Sequence, residues 1–261
     1  MAGRKNCPED RLVFAPLETF VTAGPAAPTT RPERTLTARC PTRYSLSFLR
    51  YLSSMPHLPL FATPLSMYEL PGMDEINRDL TARLVAESVS VPSVHRSNIG
   101  GWHSKTDLHT RSEACFRTLI QHIVTRVRET AERLAQDIGQ QLPVMGCKTH
   151  AWAMVMRNGD YTIPHDHSEV HWATVYYPDA GDADEAAHPD SGSLAFVDPR
   201  HGGRPIPGLD LVGRTFDARA SAGRLLVFPG WLLHYVHAYR GQRPRVSISC
   251  NAIFQLAPPS R

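Results

Sequence analysis

A chain of 261 residues with 42% hydrophobic content can bury one full core plus an extension, and nothing in it demands a second domain. The formal charge of +3 is only mildly basic, and no Lys/Arg run is interleaved with aromatics, which argues against a nucleic-acid groove and leaves room for small anionic ligands. The five cysteines, Cys7, Cys40, Cys115, Cys147 and Cys250, are an odd set without paired spacing, so reduced thiols in a cytoplasmic setting are expected. MAGRKNCPEDR at the start lacks the apolar centre of a signal peptide, and no run of about 18 apolar residues offers a membrane span.

In chain order, residues 1–40 carry Pro25, Pro28 and Pro32 among Ala, Thr and Gly, a composition that packs poorly and reads as a loosely ordered arm. Residues 1–59 are therefore expected to form an N-terminal extension, with a short helix over 44–55 from Leu46, Phe48, Leu49 and Leu52. An arm of this kind points modestly towards a homodimer. From residue 60 the pattern is firmer. LPLFATPLSMYEL reads as a strand interrupted by Pro64, and Ile76, Leu80, Leu84 and Val85 give helical spacing over 73–86.

The longest helix is expected from Ser112, as N-cap, to Asp137, with Phe116, Leu119, Ile120, Ile123, Val127, Ala131 and Leu134 in one stripe and Gly139 as the stop. Its expected role is support against a sheet. After Pro143 the period changes to two, with Trp152, Met154 and Met156 on one face, and the Asn158-Gly159-Asp160 turn follows. Short strands are expected at 170–177, 193–197, 215–217, 224–228, 233–238 and 245–254. Short strands between Gly/Pro/Asp turns predict an antiparallel jelly roll at about 144–256, and helices before strands make the whole an α+β arrangement.

The chemistry-bearing residues concentrate in the second half. In an extended strand, residues two apart share a face, so His165, His167, Glu169 and His171 offer more ligands than one metal needs. His234 follows the Phe228-Pro229-Gly230-Trp231 turn, where it can face the first pair across a barrel mouth. Imidazoles suit Fe, Zn, Cu and Ni, so ligand type alone does not choose the metal. Arg245 on the next strand can hold a carboxylate through two hydrogen bonds, and Ser247 on the same face can add a third. Together these are the parts of a mononuclear iron site with a clamp for an acidic co-substrate.

The ordered blocks make a more specific likeness. They are SNIGGWHS (97–104), His165-Asp166-His167 with ATVYY (173–177), SLAFVDPR (193–200), GRLLVFP (223–229) with His234, and RVSIS (245–249) with Asn251. Over roughly residues 60–256 the sequence resembles the 2-oxoglutarate- and Fe(II)-dependent oxygenases, most closely their bacterial and phage subgroup. The resemblance implies a double-stranded β-helix, a jelly roll of cupin-like kind, in an oxygenase domain spanning residues 60–261. It puts His165 and His234 in the positions of the two histidine ligands and Arg245 in the position that binds the distal carboxylate of 2-oxoglutarate. Ser247 and either Tyr176 or Tyr177 would assist that grip.

His167 falls where most of the superfamily has Asp or Glu. As third ligand it would make a site of three neutral imidazoles; a shifted register, His167 and Glu169 with His234, would restore the carboxylate. The better spacing to Val175-Tyr176-Tyr177 favours His165 with His167. Fe(II), 2-oxoglutarate and O₂ are thus the expected cofactors and co-substrates. The family's chemistry converts 2-oxoglutarate to succinate and CO₂ while oxidising an unactivated C–H bond, by default through hydroxylation, with desaturation or cyclisation open. A small molecule such as an amino acid or specialised metabolite is the expected substrate. Trp102, beside paired glycines that permit close approach to a ligand, is the best pocket candidate, with Ser104, Trp231 and Asn251. The competing readings are a three-His Zn hydrolase or isomerase, in which Arg245 and Ser247 have no co-substrate to hold, and a non-catalytic jelly-roll binding module.

Overall fold

The computed structural model describes residues 62–200 and 215–256. The arm and the helix expected at 44–55 lie outside the described residues. Along the chain come β1 (Ser66–Glu69), α1 (Asp74–Ser90), β2 (Asn98–Ile99), β3 (Trp102–His103), a 3₁₀ turn (Leu108–Thr110) and α2 (Ala114–Asp137). Then follow β4 (Met145–Met156), β5 (Tyr161–Thr162), β6 (Trp172–Asp179), β7 (Leu194–Val197), β8 (Thr215–Ala218), β9 (Arg224–Pro229), β10 (His234–Val236) and β11 (Arg245–Leu256). β4 and β11 are longer than the alternation predicts because they pair along their whole length, from Arg245↔Met156 to Leu256↔Met145. The expected Ser112 cap is not made: the long helix is preceded by Glu113, with no side-chain cap.

A six-stranded antiparallel sheet runs β1-β9-β6-β11-β4-β3, a three-stranded sheet β10-β7-β8, and β2 pairs with β5. The period-two pattern of the large sheet decides what each of its faces touches. On one face Ala151, Ala153, Val155, Tyr176, Leu225, Val227, Val246, Ile248 and Cys250 pack with Leu80 and Leu84 of α1 and with Phe116, Leu119, Ile123 and Val127 of α2. The predicted stripe of the long helix is thus its buried face. On the other face Val175, Tyr177, Leu226 and Phe228 pack with Leu194, Phe196 and Ala218 of the small sheet. The residues between the helix-facing positions of β11 and β4, namely Arg245, Ser247, Ser249 and Asn251 with Trp152 and Met154, line a cavity of about 580 Å³.

One irregularity sits beside that cavity. β6 pairs with β11 as Ile248↔Tyr176 and then Val246↔Asp179, so Tyr177 and Pro178 together oppose Ser247. Pro178 has no N–H to give the ladder, which is where a β-bulge is tolerated, and bulges of this kind re-aim side chains near sites.

Candidate metal and anion site

His165, His167 and His234 come together with their ligating nitrogens within 4.8 Å of one another, the only group of three or more metal-capable side chains among the described residues. His165 and His234 face each other through a two-way backbone bridge, each N–H donating to the other's carbonyl at 2.9 Å. The Nδ1 of His165 meets the Ile163 carbonyl at 2.8 Å, that of His234 meets the Leu232 carbonyl at 2.7 Å, and that of His167 meets Asn251 Oδ1 at 2.7 Å. These oxygens can only accept, so each Nδ1 carries the proton and each Nε2 keeps its lone pair for a metal. The Nε2 of His165 also receives the Ser97 hydroxyl at 3.3 Å.

Burial reinforces this state. It pushes all three histidines below the ordinary imidazole value, His234 to about 3, with the neighbouring imidazoles adding repulsion at His167 and His234. Neutral imidazole is the form that binds metal. The donor set therefore fits a divalent first-row ion. Glu169 is exposed and stands outside the cluster, although it lines the same cavity. The expectation that residues 165–171 share one extended face fails here, because the chain turns at 168–169. His171 consequently leaves the group and accepts the Phe254 N–H at 3.0 Å.

Arg245 is 1% exposed, with no carboxylate partner among the described residues. Its Nη1 reaches Met156 Sδ at 3.3 Å and Ser247 Oγ at 3.5 Å, whereas Nε and Nη2 are buried without acceptors. The Tyr177 hydroxyl is likewise buried without a partner, and the guanidinium carbon lies 5.0 Å from the centre of the Tyr177 ring. Burial lowers the Arg245 pKa and raises that of Tyr177, each partly countered by the other. A buried guanidinium with free donors costs several kcal/mol of desolvation unless an anion meets it, on the order of the penalty per ion. The free donors of Arg245 suit an anion such as a carboxylate.

Tyr176, the alternative partner for that carboxylate, points to the opposite face. Its hydroxyl donates to Asn77 Oδ1 of α1 at 2.7 Å, and burial pushes its pKa up to about 12. Strand alternation thus commits Tyr176 to the helix layer and leaves Tyr177 beside Arg245.

Of the pocket candidates, only Asn251 lines the cavity. Trp102 is 4% exposed in the helix-side core, its Nε1–H donating to the Val91 carbonyl at 2.9 Å. The paired glycines beside it admit the Asp160 carboxylate rather than a ligand: Gly100 has φ +68°, and a Cβ there would overlap Asp160 Oδ1. Ser104 is spent on backbone bonds to Lys105 and Ala153, and Trp231 is 48% exposed on the turn after β9, away from the cavity. The lining instead includes Trp152, for which the sequence favours core packing over a place in the cavity, and His103, which the sequence does not single out as a pocket residue. The alternation Trp152-x-Met154-x-Met156 was a signal for the first.

Residues 150–251 match the family described as "Putative 2OG-Fe(II) oxygenase". That span contains the three histidines, Arg245, Ser247 and Asn251. No curated protein matches the chain significantly in sequence. Among solved structures, a Pseudomonas putida prolyl-4-hydroxylase is 17% identical with TM-score 0.51, over 76% of this chain and 96% of its own. The α-ketoglutarate-dependent epimerase SnoN from nogalamycin biosynthesis is 15% identical with TM-score 0.51, over 73% of this chain and 78% of its own. HygX from Streptomyces hygroscopicus, solved with nickel and 2-oxoglutarate bound, is 9% identical with TM-score 0.51, over 80% of this chain and 86% of its own. At such identities the likeness is one of fold.

Proposed function

We propose that this chain, whose residues 150–251 match a 2-oxoglutarate- and Fe(II)-dependent oxygenase family, works as such an oxygenase through a specific site: His165, His167 and His234 hold the iron, and Arg245, Ser247 and Tyr177 hold 2-oxoglutarate. The two sheets are then the halves of a double-stranded β-helix, its jelly-roll core running over about residues 144–256 within an oxygenase domain of residues 60–261. The observation that carries the assignment is Arg245, a buried cation with unmet donors in the lining of the cavity that also holds the three imidazoles. A metal hydrolase or isomerase gives that charge no co-substrate to hold.

Iron and 2-oxoglutarate supply, with O₂, an oxidant able to take hydrogen from an unactivated C–H bond, 2-oxoglutarate leaving as succinate and CO₂. The chain's own residues do the rest. Arg245 would take the distal carboxylate on its free donors, with Ser247 and Tyr177 adding donors and sealing the charge from water. The carbonyls of Ile163 and Leu232 and the amide of Asn251 hold the three Nδ1–H groups and so keep the Nε2 lone pairs inward. The cavity of about 580 Å³ has room for the co-substrate and part of a small molecule, for which an amino acid or specialised metabolite is the proposed class. Hydroxylation is the proposed default outcome; desaturation and cyclisation need no different ligands and are open to the same centre.

Succinate release tests the reaction class. With Fe(II), 2-oxoglutarate and air, slow uncoupled formation of succinate is expected, and it stops when any one of the three is withheld. Metal-dependent chemistry that proceeds with Zn(II) and ignores 2-oxoglutarate would contradict the proposal. The tyrosines separate just as clearly. Tyr177→Phe is expected to weaken 2-oxoglutarate binding about tenfold at little cost to folding, the size of one hydrogen bond to a charged group. Tyr176→Phe leaves Asn77 Oδ1 buried without its donor, so it should lower stability by about 1–3 kcal/mol and leave 2-oxoglutarate affinity unchanged, as titration calorimetry and melting will read.

A further inference from the structure

We infer that Trp152 and Asn251 act together as positioning residues for His167, and that this pair is what allows an imidazole to serve where the wider superfamily has a carboxylate. The inference rests on the three-histidine reading of the site. The three rings are not held alike. Those of His165 and His234 are tied to backbone carbonyls two residues earlier, and their own segments are locked together by the backbone bridge. The His167 ring is held from outside its loop, by side chains of the large sheet.

Two contacts define the ring's position. Asn251 of β11 accepts the Nδ1 proton at 2.7 Å, which fixes the tautomer and the rotation of the ring. Trp152 of β4 lies against its face, with centroids 5.5 Å apart and planes 21° apart, which fixes the tilt. The indole is itself backed by His103, at 5.8 Å and 11°, and the Nδ1 of His103 is pinned to the Ser104 carbonyl at 2.6 Å. A column of three rings therefore runs from β3 through β4 to the loop that carries His167. Trp152 and Asn251 stand on adjacent strands, since Trp152 pairs with Ser249 and His150 with Asn251, and both side chains line the cavity.

The need for such a support follows from ligand chemistry. A carboxylate binds a cation by charge through either of two equivalent oxygens and tolerates rotation. A neutral imidazole has one lone pair in the ring plane, so its affinity depends on tilt and rotation both being set. A hydrogen bond alone fixes only one of these; a stacked ring supplies the other.

Co(II) binding to the apoprotein, followed by its visible absorption and by calorimetry well below the melting temperature, tests this without turnover. Trp152→Leu and Asn251→Leu are each expected to weaken Co(II) by about 10–100-fold, the usual cost of losing an outer partner of a ligating histidine. Trp152→Phe, which keeps a stacking face, should recover most of the loss. The deciding arm is His167→Asp: this variant should bind Co(II), and within it Trp152→Leu and Asn251→Leu should change affinity by no more than about twofold, the limit of simple additivity. Unchanged affinity in the single variants overturns the inference, as does an equal loss in the Asp background or failure of His167→Asp to bind Co(II). If the wild-type protein binds no Co(II), the three-histidine reading itself falls; if it binds and the variants do not differ, only the positioning role falls.

Discussion

Replacing Arg245 by methionine is expected to abolish measurable 2-oxoglutarate binding while the metal-free protein melts at the same temperature or higher. The two effects have opposite sign because they act on different states. In the proposed bound state Arg245 meets a carboxylate in a water-free place, and breaking such a pair costs about 3–5 kcal/mol, roughly two to three and a half orders of magnitude in Kd. In the free protein the same guanidinium is 1% exposed, with Nε and Nη2 lacking acceptors, and only Met156, Ser247 and the Tyr177 ring offset its desolvation. Methionine fills the space without a charge. On the proposed assignment stability is held back here for the sake of binding, as at many working sites. Metal affinity should be unaffected, as read by Co(II) titration of the variant; loss of metal with retention of 2-oxoglutarate would make Arg245 a structural residue.

His234→Ala is expected to strip the metal. One ligand among three contributes on the order of 3 kcal/mol to a site of this kind, so affinity should fall about a hundredfold or more, and metal content after dialysis should drop to near zero. His165→Ala should do the same. Glu169→Ala is the matched control, since Glu169 is exposed and outside the histidine cluster, and its metal content should equal that of the wild type. Metal loss confined to the Glu169 variant would reverse the ligand assignment. The metal-dependent quenching of tryptophan fluorescence that is lost in Trp152→Phe gives an independent reading of whether the metal is near His167, on which the Trp152 ring stacks.

Much of the candidate site is legible in the sequence because it lies on strands whose order and period carry the information. Arg245, Ser247 and Asn251 occupy alternate positions of β11, and Val246, Ile248 and Cys250 between them face the helices, so composition alone separates cavity from core. The long helix was legible for the same reason, with its stripe at helical spacing. What was not legible depended on tertiary geometry. Whether Tyr176 or Tyr177 faces the anion is a matter of parity at a bulge, which adjacent residues of one type cannot reveal. Trp102 was misjudged because the space left by Gly100 and Gly101 is used by Asp160, a side chain almost 60 positions away in sequence. The turn at 168–169 that removes His171 from the group carries no glycine or proline to announce it. The column His103, Trp152, His167 needs the register of β3 on β4, His103↔Met154, which no local pattern encodes.

On the proposed assignment the three imidazoles and Arg245 hold one Fe(II)–2-oxoglutarate unit between them. The most direct test of that assignment is anaerobic addition of 2-oxoglutarate to the Fe(II)-loaded wild-type protein, with the visible spectrum recorded alongside that of Arg245→Met. A weak visible charge-transfer band of the chelate should grow in and saturate in the wild type and be absent from the variant at the same concentrations. A metal-loaded wild-type protein that takes up 2-oxoglutarate without that band, or shows no uptake at all, would contradict it.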